Sequence, residues 1–540
     1  MVAYLVCVYI YVYMREATCS IKTKREMELI YDSLVWLSLF LSLVLILRLN
    51  GKKWRNRNKN LPPGPPGWPL FGNMFDLGTT PHRALYDLKF KYGPVLMLRL
   101  GSIDTLVVQS AKAAAEFFKN HDASFCDRKS PDVLSAYNYE DASLAIGHYG
   151  PFWRMLRRLC SMELMANKRL NETASIRRKC IDQMLRSIED DAVAAKERGE
   201  SGVVNLPHYF FLMSFNVLGN LMLSRDLLDS QCKEGHDFFH SMDKVAEWVG
   251  KPNVADFLPF LKWLDPQGLK RSMLRDMGRA KEIVAGFVEQ RIKEHKLGKE
   301  ETKDFLDTLL EYEGDGKEWH EKIPYEKVII IVLEIFFTGT ETTSTTIEWV
   351  MAELLNNPEV MRKVKEELNV VVGENRKVEE SDIEKLSYLQ AVLKETLRLH
   401  PPVPLLLPRN TIQDTNFMGY HITKDTQVFV NVWAIGRDPN SWQDPFTFKP
   451  ERFLGSNIDY KGQNFELIPF GSGRRICVGM SLAQRLVSLG LASLIHDFDW
   501  ELDKNLTHET LDMNERIGIT VRKLQPLYLI PKKRPRTIVV

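Results

Sequence analysis

Between Tyr325 and Asn356 the chain carries its longest helical pattern, and that segment limits the fold more than any other. About 30 residues at roughly 1.5 Å each make a rod of ~45 Å, long enough to cross a whole domain. Asn357-Pro358 ends it. Inside it an apolar run gives way to Thr338-Gly339-Thr340-Glu341-Thr342-Thr343. A mid-helix glycine costs about 1 kcal/mol relative to alanine, so this local conflict needs a reason. One reading is that these residues cap or kink a buried helix. The other is chemical: Gly339 opens the helix surface for a small ligand, Thr342 offers a hydroxyl that bonds back to the helix or turns toward a bound group, and Glu341 relays protons.

A second segment carries more specific chemistry. Pro469-Phe470-Gly471-Ser472-Gly473-Arg474-Arg475-Ile476-Cys477-Val478-Gly479 sets one cysteine at the end of a glycine-rich turn, just ahead of an apolar helical run from Met480 to Val487. A helix start supplies a partial positive charge and unpaired N–H groups, both of which favour a thiolate. Gly471, Gly473 and Gly479 are expected to adopt positive φ and let the main chain approach a flat ligand. A buried structural cysteine in a tight turn is the plainer alternative. The pattern F-x-x-G-x-R-x-C-x-G is filled by Phe470, Gly473, Arg475, Cys477 and Gly479, and it resembles the haem-thiolate signature of the cytochrome P450 family.

That resemblance implies haem b, with Cys477 as its iron ligand and Phe470 and Arg475 in the cofactor-binding loop. The threonine segment is similar to the family's oxygen-helix motif, except that Thr338 stands where Ala or Gly is usual. Glu341 and Thr342 are then the catalytic pair that delivers protons to dioxygen. Lys394-Glu395-Thr396-Leu397-Arg398 and Pro450-Glu451-Arg452-Phe453 resemble two further family segments, which together imply a buried Glu395, Arg398 and Arg452 triad. By spacing alone Glu395 and Arg398 are only an i,i+3 pair, and most such pairs are solvated. Trp153, Arg157, Arg409 and Arg475 match positions that contact the haem propionates. The implied fold is mainly α with small β-sheets, preceded by an N-terminal transmembrane helix. Residues 425–432 alternate like a strand, and 155–200 and 270–312 read as amphipathic helices.

With 72 Lys and Arg against 70 Asp and Glu, the net charge of +2 offers no field for a polyanion, so nucleic-acid binding is excluded. The 7 cysteines are scattered and include no C-x-x-C pair, which argues against a disulfide framework and a zinc site. Residues 29–47 are apolar enough to span a bilayer as a helix, and Arg48, Lys52, Lys53, Arg55, Arg57 and Lys59 follow. The expected order is an over-extended N-terminus at 1–26, a membrane anchor at 27–49, a basic and proline-rich hinge at 50–69, and a haem-thiolate domain at 70–540.

The apolar stretch and its basic flank imply a single-pass anchor with the large part in the cytosol, and the resemblance implies that the membrane is that of the endoplasmic reticulum. The implied activity is a monooxygenase acting on an apolar small molecule. The chain has no G-x-G-x-x-G after a strand to bind a nucleotide itself, so its electrons are expected from a flavoprotein, by resemblance NADPH-cytochrome P450 reductase. The threonine and cysteine segments look most like plant microsomal members, in particular the terpenoid-oxidising group. Substrate-facing positions are implied at 133–150, Phe336, Phe337, 403–407 and 518–520. Two alternatives remain: a haem-thiolate isomerase or dehydratase that needs no O2, and a membrane-anchored haem binder without turnover.

Overall fold

The computed structural model describes residues 31–42, 60–199, 201–227, 233–297, 303–314, 316, 319–503 and 507–535. Residues 31–42 form a helix whose apolar side chains are exposed, within a unit that also holds Trp68–Leu70. The rest of the expected anchor, the stretch 1–26 and the basic residues up to Lys59 lie outside the described residues.

The body comprises Asn60–Gly67 and Phe71–Val540. Much of the proline-rich segment therefore packs as part of the body: Pro62 and Gly64 are buried, and the Met97 N–H donates to Pro63 O at 2.8 Å. Pro lacks a donor but keeps its carbonyl, so this stretch can still dock along a strand edge.

Along the chain the elements that matter are strands β1 (Val95–Leu100) and β2 (Ile103–Val108) and helices α1 (Pro151–Leu159), α2 (Ala174–Glu197), α3 (Leu206–Leu223), α4 (Lys233–Val249), α5 (Leu269–Lys296), α6 (Tyr325–Asn356), α7 (Pro358–Val371) and α8 (Ser387–Leu399). Strands β3 (Arg409–Asn410) and β4 (Gln427–Val430), helix α9 (Met480–Asp497), and the hairpin strands β5 (Glu515–Ile517) and β6 (Val521–Lys523) follow. The architecture is mainly helical with small sheets, as expected. The largest sheet has the order β1-β2-β4-β3, antiparallel except that β2 and β4 run parallel with Thr105 opposite Gln427.

Helix α6 has the predicted bounds. It begins after Pro324 and stops at Asn357, and Pro358 then starts α7, where its missing N–H costs nothing. It is the one helix among the described residues long and apolar enough to cross a membrane, but most of it is buried in the core. Helix α3 lies so close that a Cβ on Gly339 would sit 2.9 Å from Leu218 Cδ1. The space beside Gly339 is thus taken by Leu218, and the glycine serves helix packing rather than an opening for a small ligand.

Other expectations shift in detail. The 155–200 pattern breaks into α1, a π-turn at Cys160–Leu164, a short helix at Asn167–Glu172 and α2. The 270–312 pattern becomes α5 and a separate helix at Phe305–Leu310, opened by an Asp304 capping box. Asp425 turns at φ 63, which confines the expected strand to β4.

Candidate active site

The cysteine loop is held from both sides. Gly471 and Gly473 have φ of 71° and 69°, as their glycine identity predicted, whereas Gly479 has an ordinary φ of −81° and caps α9. A Cβ on Gly473 would stand 2.3 Å from Asp122 Oδ1, so only glycine fits there. Asp122 accepts from Arg409 Nη1 at 2.6 Å and from the Arg474 N–H at 2.9 Å, which ties the loop to strand β3. The Cys477 N–H donates to Phe470 O at 3.0 Å, and the Phe470 ring packs on Tyr460.

Cys477 itself is accessible, although protein encloses it on all sides, and that combination places its thiol on an internal cleft. Burial pushes the thiol pKa up, while backbone hydrogen bonds from Gly479 and Met480 and the charge of Arg157 pull it down. The opposing groups favour the thiolate in the way a helix start does.

Helix α6 presents the same kind of surface. Within a mostly buried stretch, Thr338 is exposed and Thr342 half-buried, one turn apart on one face. Thr342 Oγ1 donates to Thr338 O at 2.9 Å, and Thr338 Oγ1 to Glu334 O at 2.9 Å. Glu341 points elsewhere: it is buried, ion-paired to Arg522 of β6, and accepts from Thr520 Oγ1 at 2.6 Å. The adjacent acid and alcohol are thus separated, with the acid held by the β5–β6 hairpin.

The expected propionate set divides in two. Trp153 Nε1 donates to Leu144 O at 2.9 Å, and Arg475 lies over that ring at 4.0 Å. Arg475 donates to Gly147 O at 2.6 Å and Cys126 O at 2.9 Å; burial and the nearby Arg409 lower its pKa to about 10. Arg409 is bonded to Asp122 and, at 2.8 Å, to Ser472 O. Arg157 differs, since among the described residues its guanidinium has no hydrogen-bond acceptor, and it lies near enough to Cys477 to affect its charge.

Sequence reading missed Arg128. It is 7 % exposed, its Nε and Nη1 have no partner, and burial followed by the charges of Arg475 and Arg409 pushes its pKa well down. Three buried guanidiniums lie near one another here, with Asp122 bonded to Arg409, Asp127 close to Arg475 and Glu334 close to Arg128. Buried donors without an acceptor are costly, and Nε and Nη1 of Arg128 have none. An anionic flat group beside an accessible enclosed cysteine would give them one, so these residues fit haem. Nothing in Phe125-Cys126-Asp127-Arg128 marks Arg128 by type or spacing; only its burial does.

Beside α6 lies a small apolar pocket lined by Leu134, Tyr139, Met242, Val245, Met277, Leu333 and Phe337. Phe337, one of the positions expected to face substrate, lines this pocket. Phe336 does not line it and is fully buried against Phe215 and Phe238. The buried triad is present, with Arg398 Nε and Nη2 each donating to Glu395 at 2.7 Å and Arg452 Nε at 3.1 Å.

Comparison with known proteins agrees with this geometry. The family model described as Cytochrome P450 matches residues 62–529. The chain is 56% identical over 507 residues to an iridoid oxidase of Catharanthus roseus, covering 93% of this chain and 98% of that protein. It is 39% identical over 475 residues to a geraniol 8-hydroxylase of the same plant, covering 88% and 94%. Among solved structures, a zebra fish cytochrome P450 with abiraterone superposes with a TM-score of 0.70 at 27% identity, covering 85% of this chain and 100% of that one.

Proposed function

Since this chain belongs to the cytochrome P450 family and is a haem b monooxygenase, we propose that it oxidises a terpenoid beside α6, with Cys477 as iron ligand and Arg128, Arg157, Trp153, Arg409, Phe470 and Arg475 as the cofactor's surroundings. The observation that supports this most directly is the accessible, enclosed thiol of Cys477 beside Arg157, with the unpartnered donors of buried Arg128 close to Arg475 and Arg409. Bound haem supplies reductive activation of dioxygen, one atom going to substrate and the other to water, with thiolate donation favouring O–O cleavage.

The chain's own residues supply orientation and protons. The N–H groups of Gly479 and Met480 hold charge on sulfur. Thr342 donates its hydroxyl proton to Thr338 O, which holds its oxygen at the cleft with lone pairs free to accept a hydrogen bond. Glu341 passes protons inward when its pair with Arg522 opens, because the carboxylate is occupied while that pair is closed. The apolar lining of the small pocket beside α6 suits contact with part of a hydrocarbon skeleton. The terpenoid assignment is supported by the two plant relatives, whose names refer to an iridoid and to geraniol.

Electrons come from a membrane-bound NADPH-dependent reductase, and the protein sits in the endoplasmic reticulum membrane with one span and its body in the cytosol. Two features support the membrane: the apolar stretch 29–47, and exposed apolar side chains on two segments of the body. Phe71 and Phe75 belong to one segment, Phe260, Trp263 and Leu264 to the other. Both segments meet at the β1–β2 turn, where the Gly101 N–H donates to Phe71 O and the Ser102 N–H to Phe257 O. Contiguous exposed apolar surface of this kind marks an interaction site.

The test is turnover of purified protein with reductase, NADPH and isotopically labelled O2 on a panel of terpenoids. One labelled oxygen in an NADPH-dependent product is expected. A product free of label, formed without NADPH, would replace this reading with an isomerase or dehydratase.

A further inference from the structure

Resting on the haem-binding reading above, we propose that Glu334 is the positioning residue that joins α6 to the cofactor's surroundings: its carboxylate fixes the turn 143–147, and carbonyls of that turn hold Trp153 and Arg475 in place.

Glu334 is out of character with its segment. It interrupts the apolar run 328–337 and is 4 % exposed, and an acid so placed is costly unless its oxygens are bonded. Its carboxylate bonds come from one turn, distant in the chain. Ser143 Oγ donates to it, as do the Leu144 N–H at 2.5 Å and the Ala145 N–H at 3.2 Å. The turn is closed by the Gly147 N–H to Ser143 O at 3.1 Å and by the Ile146 N–H to Ser143 Oγ at 2.9 Å. Only glycine fits its end, because a Cβ on Gly147 would stand 2.2 Å from Ser143 O. A helical turn leaves N–H groups free at its start and carbonyls free at its end. Glu334 takes the N–H groups.

The carbonyls go to the cofactor's surroundings. Leu144 O accepts from Trp153 Nε1 at 2.9 Å and from Arg475 Nη1 at 3.4 Å, and Gly147 O accepts from Arg475 Nη2 at 2.6 Å. Arg475 in turn lies over the Trp153 ring at 4.0 Å. Leu144 is thus gripped from both sides, its N–H by α6 and its carbonyl by that pair. On α6 itself Glu334 O accepts from Thr338 Oγ1, and Thr338 O from Thr342 Oγ1, both at 2.9 Å. One residue therefore keeps the cofactor's neighbours and the cleft-facing hydroxyls in a single register. Another acid of α6 supplies the contrast: Glu348 is 3 % exposed and accepts from the Leu527 N–H at 3.0 Å, which lies outside the turn.

The experiment measures haem transfer from full-length holoprotein to an acceptor protein, with hydrogen exchange at 143–147 followed in the same samples. Glu334→Gln turns an amide donor toward N–H donors and should speed both transfer and exchange about tenfold. Glu348→Gln should leave both within about twofold of wild type. In a Trp153→Phe background the effect of Glu334→Gln on transfer should shrink to about threefold or less, since the two residues act through one turn. Unchanged transfer in Glu334→Gln, equal acceleration by Glu348→Gln, or the same factor with and without the Trp153 indole overturns the proposal. If Glu334→Gln takes up no haem, Ser143→Ala decides: faster transfer supports the clamp and unchanged transfer refutes it. A wild type whose haem is not thiolate-bound refutes the Cys477 reading alone, and the transfer and exchange comparisons still decide the clamp. Exchange at 143–147 that stays slow in Glu334→Gln refutes the clamp alone.

Discussion

Replacing Glu395 by Gln should destabilise the body far more than the same change at Glu359, although both acids sit three residues before an arginine on a helix. Glu395 and Arg398 have side chains 0%/0% exposed, whereas Glu359 and Arg362 are 65% and 54% exposed. The Glu395 carboxylate accepts two bonds from Arg398 at 2.7 Å, one from Arg452 at 3.1 Å and one from the Lys449 N–H at 2.8 Å. An amide there turns two donor hydrogens toward donors and leaves Arg398 without its counterion. Breaking one side of a buried pair costs about 3–5 kcal/mol. For a chain of 540 residues, unfolding entropy of about 2 cal/mol/K per residue sums to roughly 1 kcal/mol/K, so the melting temperature should fall by about 3–5 °C. Thermal loss of haem absorbance and of circular dichroism, followed in parallel at one scan rate, measures it. Glu359→Gln should show no resolvable change, because solvent already screens that pair. If the two variants melt together, burial of the triad is not what stabilises this region.

Three further outcomes follow from the site. Arg128→Met should leave the haem-free protein as stable or more so, since buried unpartnered donors are removed, yet should speed haem transfer to an acceptor protein by about tenfold; unchanged transfer would remove Arg128 from the cofactor's surroundings. Thr342→Ala should send more NADPH electrons to peroxide at the expense of product; unchanged coupling would count against its proton role. At Glu515, burial acts to raise the pKa, but the hydrogen bond and charge of His82, with Arg83, bring it from 4.5 to about 2. A folded pKa below the unfolded one stabilises above about pH 4.5 and is lost as pH falls toward 2. In urea titrations across that window Glu515→Gln should therefore show a flatter dependence on pH than the wild type.

Sequence carried those parts of the structure that depend on local pattern. The 32-residue span of α6 could be read because a helical pattern continued through the threonine segment as far as Asn357-Pro358. The cysteine loop could be read because glycine at positive φ leaves its mark on residue type, and Gly479 was misjudged because glycine also serves at ordinary φ. What sequence did not carry is which groups already have partners. Trp153, Arg409 and Arg475 matched cofactor-contact positions, yet each is bonded within the protein, while Arg128 matched nothing and has two buried nitrogens without a hydrogen-bond partner. Adjacency also misled: Glu341 and Thr342 are neighbours in the chain, but about 100° of helical rotation sends one toward Arg522 and the other to the cleft. Gly339 looked like an opening because Leu218, more than a hundred residues earlier, could not be seen to fill it.

The carbon monoxide difference spectrum of the reduced, purified protein tests the central claim most directly, because it distinguishes a thiolate-bound haem from one held by nitrogen. Wild-type protein should give the thiolate-type band, and Cys477→Ala should lose it while the fold persists by circular dichroism. A wild-type spectrum of nitrogen-ligated haem, or a thiolate band that survives in Cys477→Ala, would contradict the assignment of that sulfur to iron.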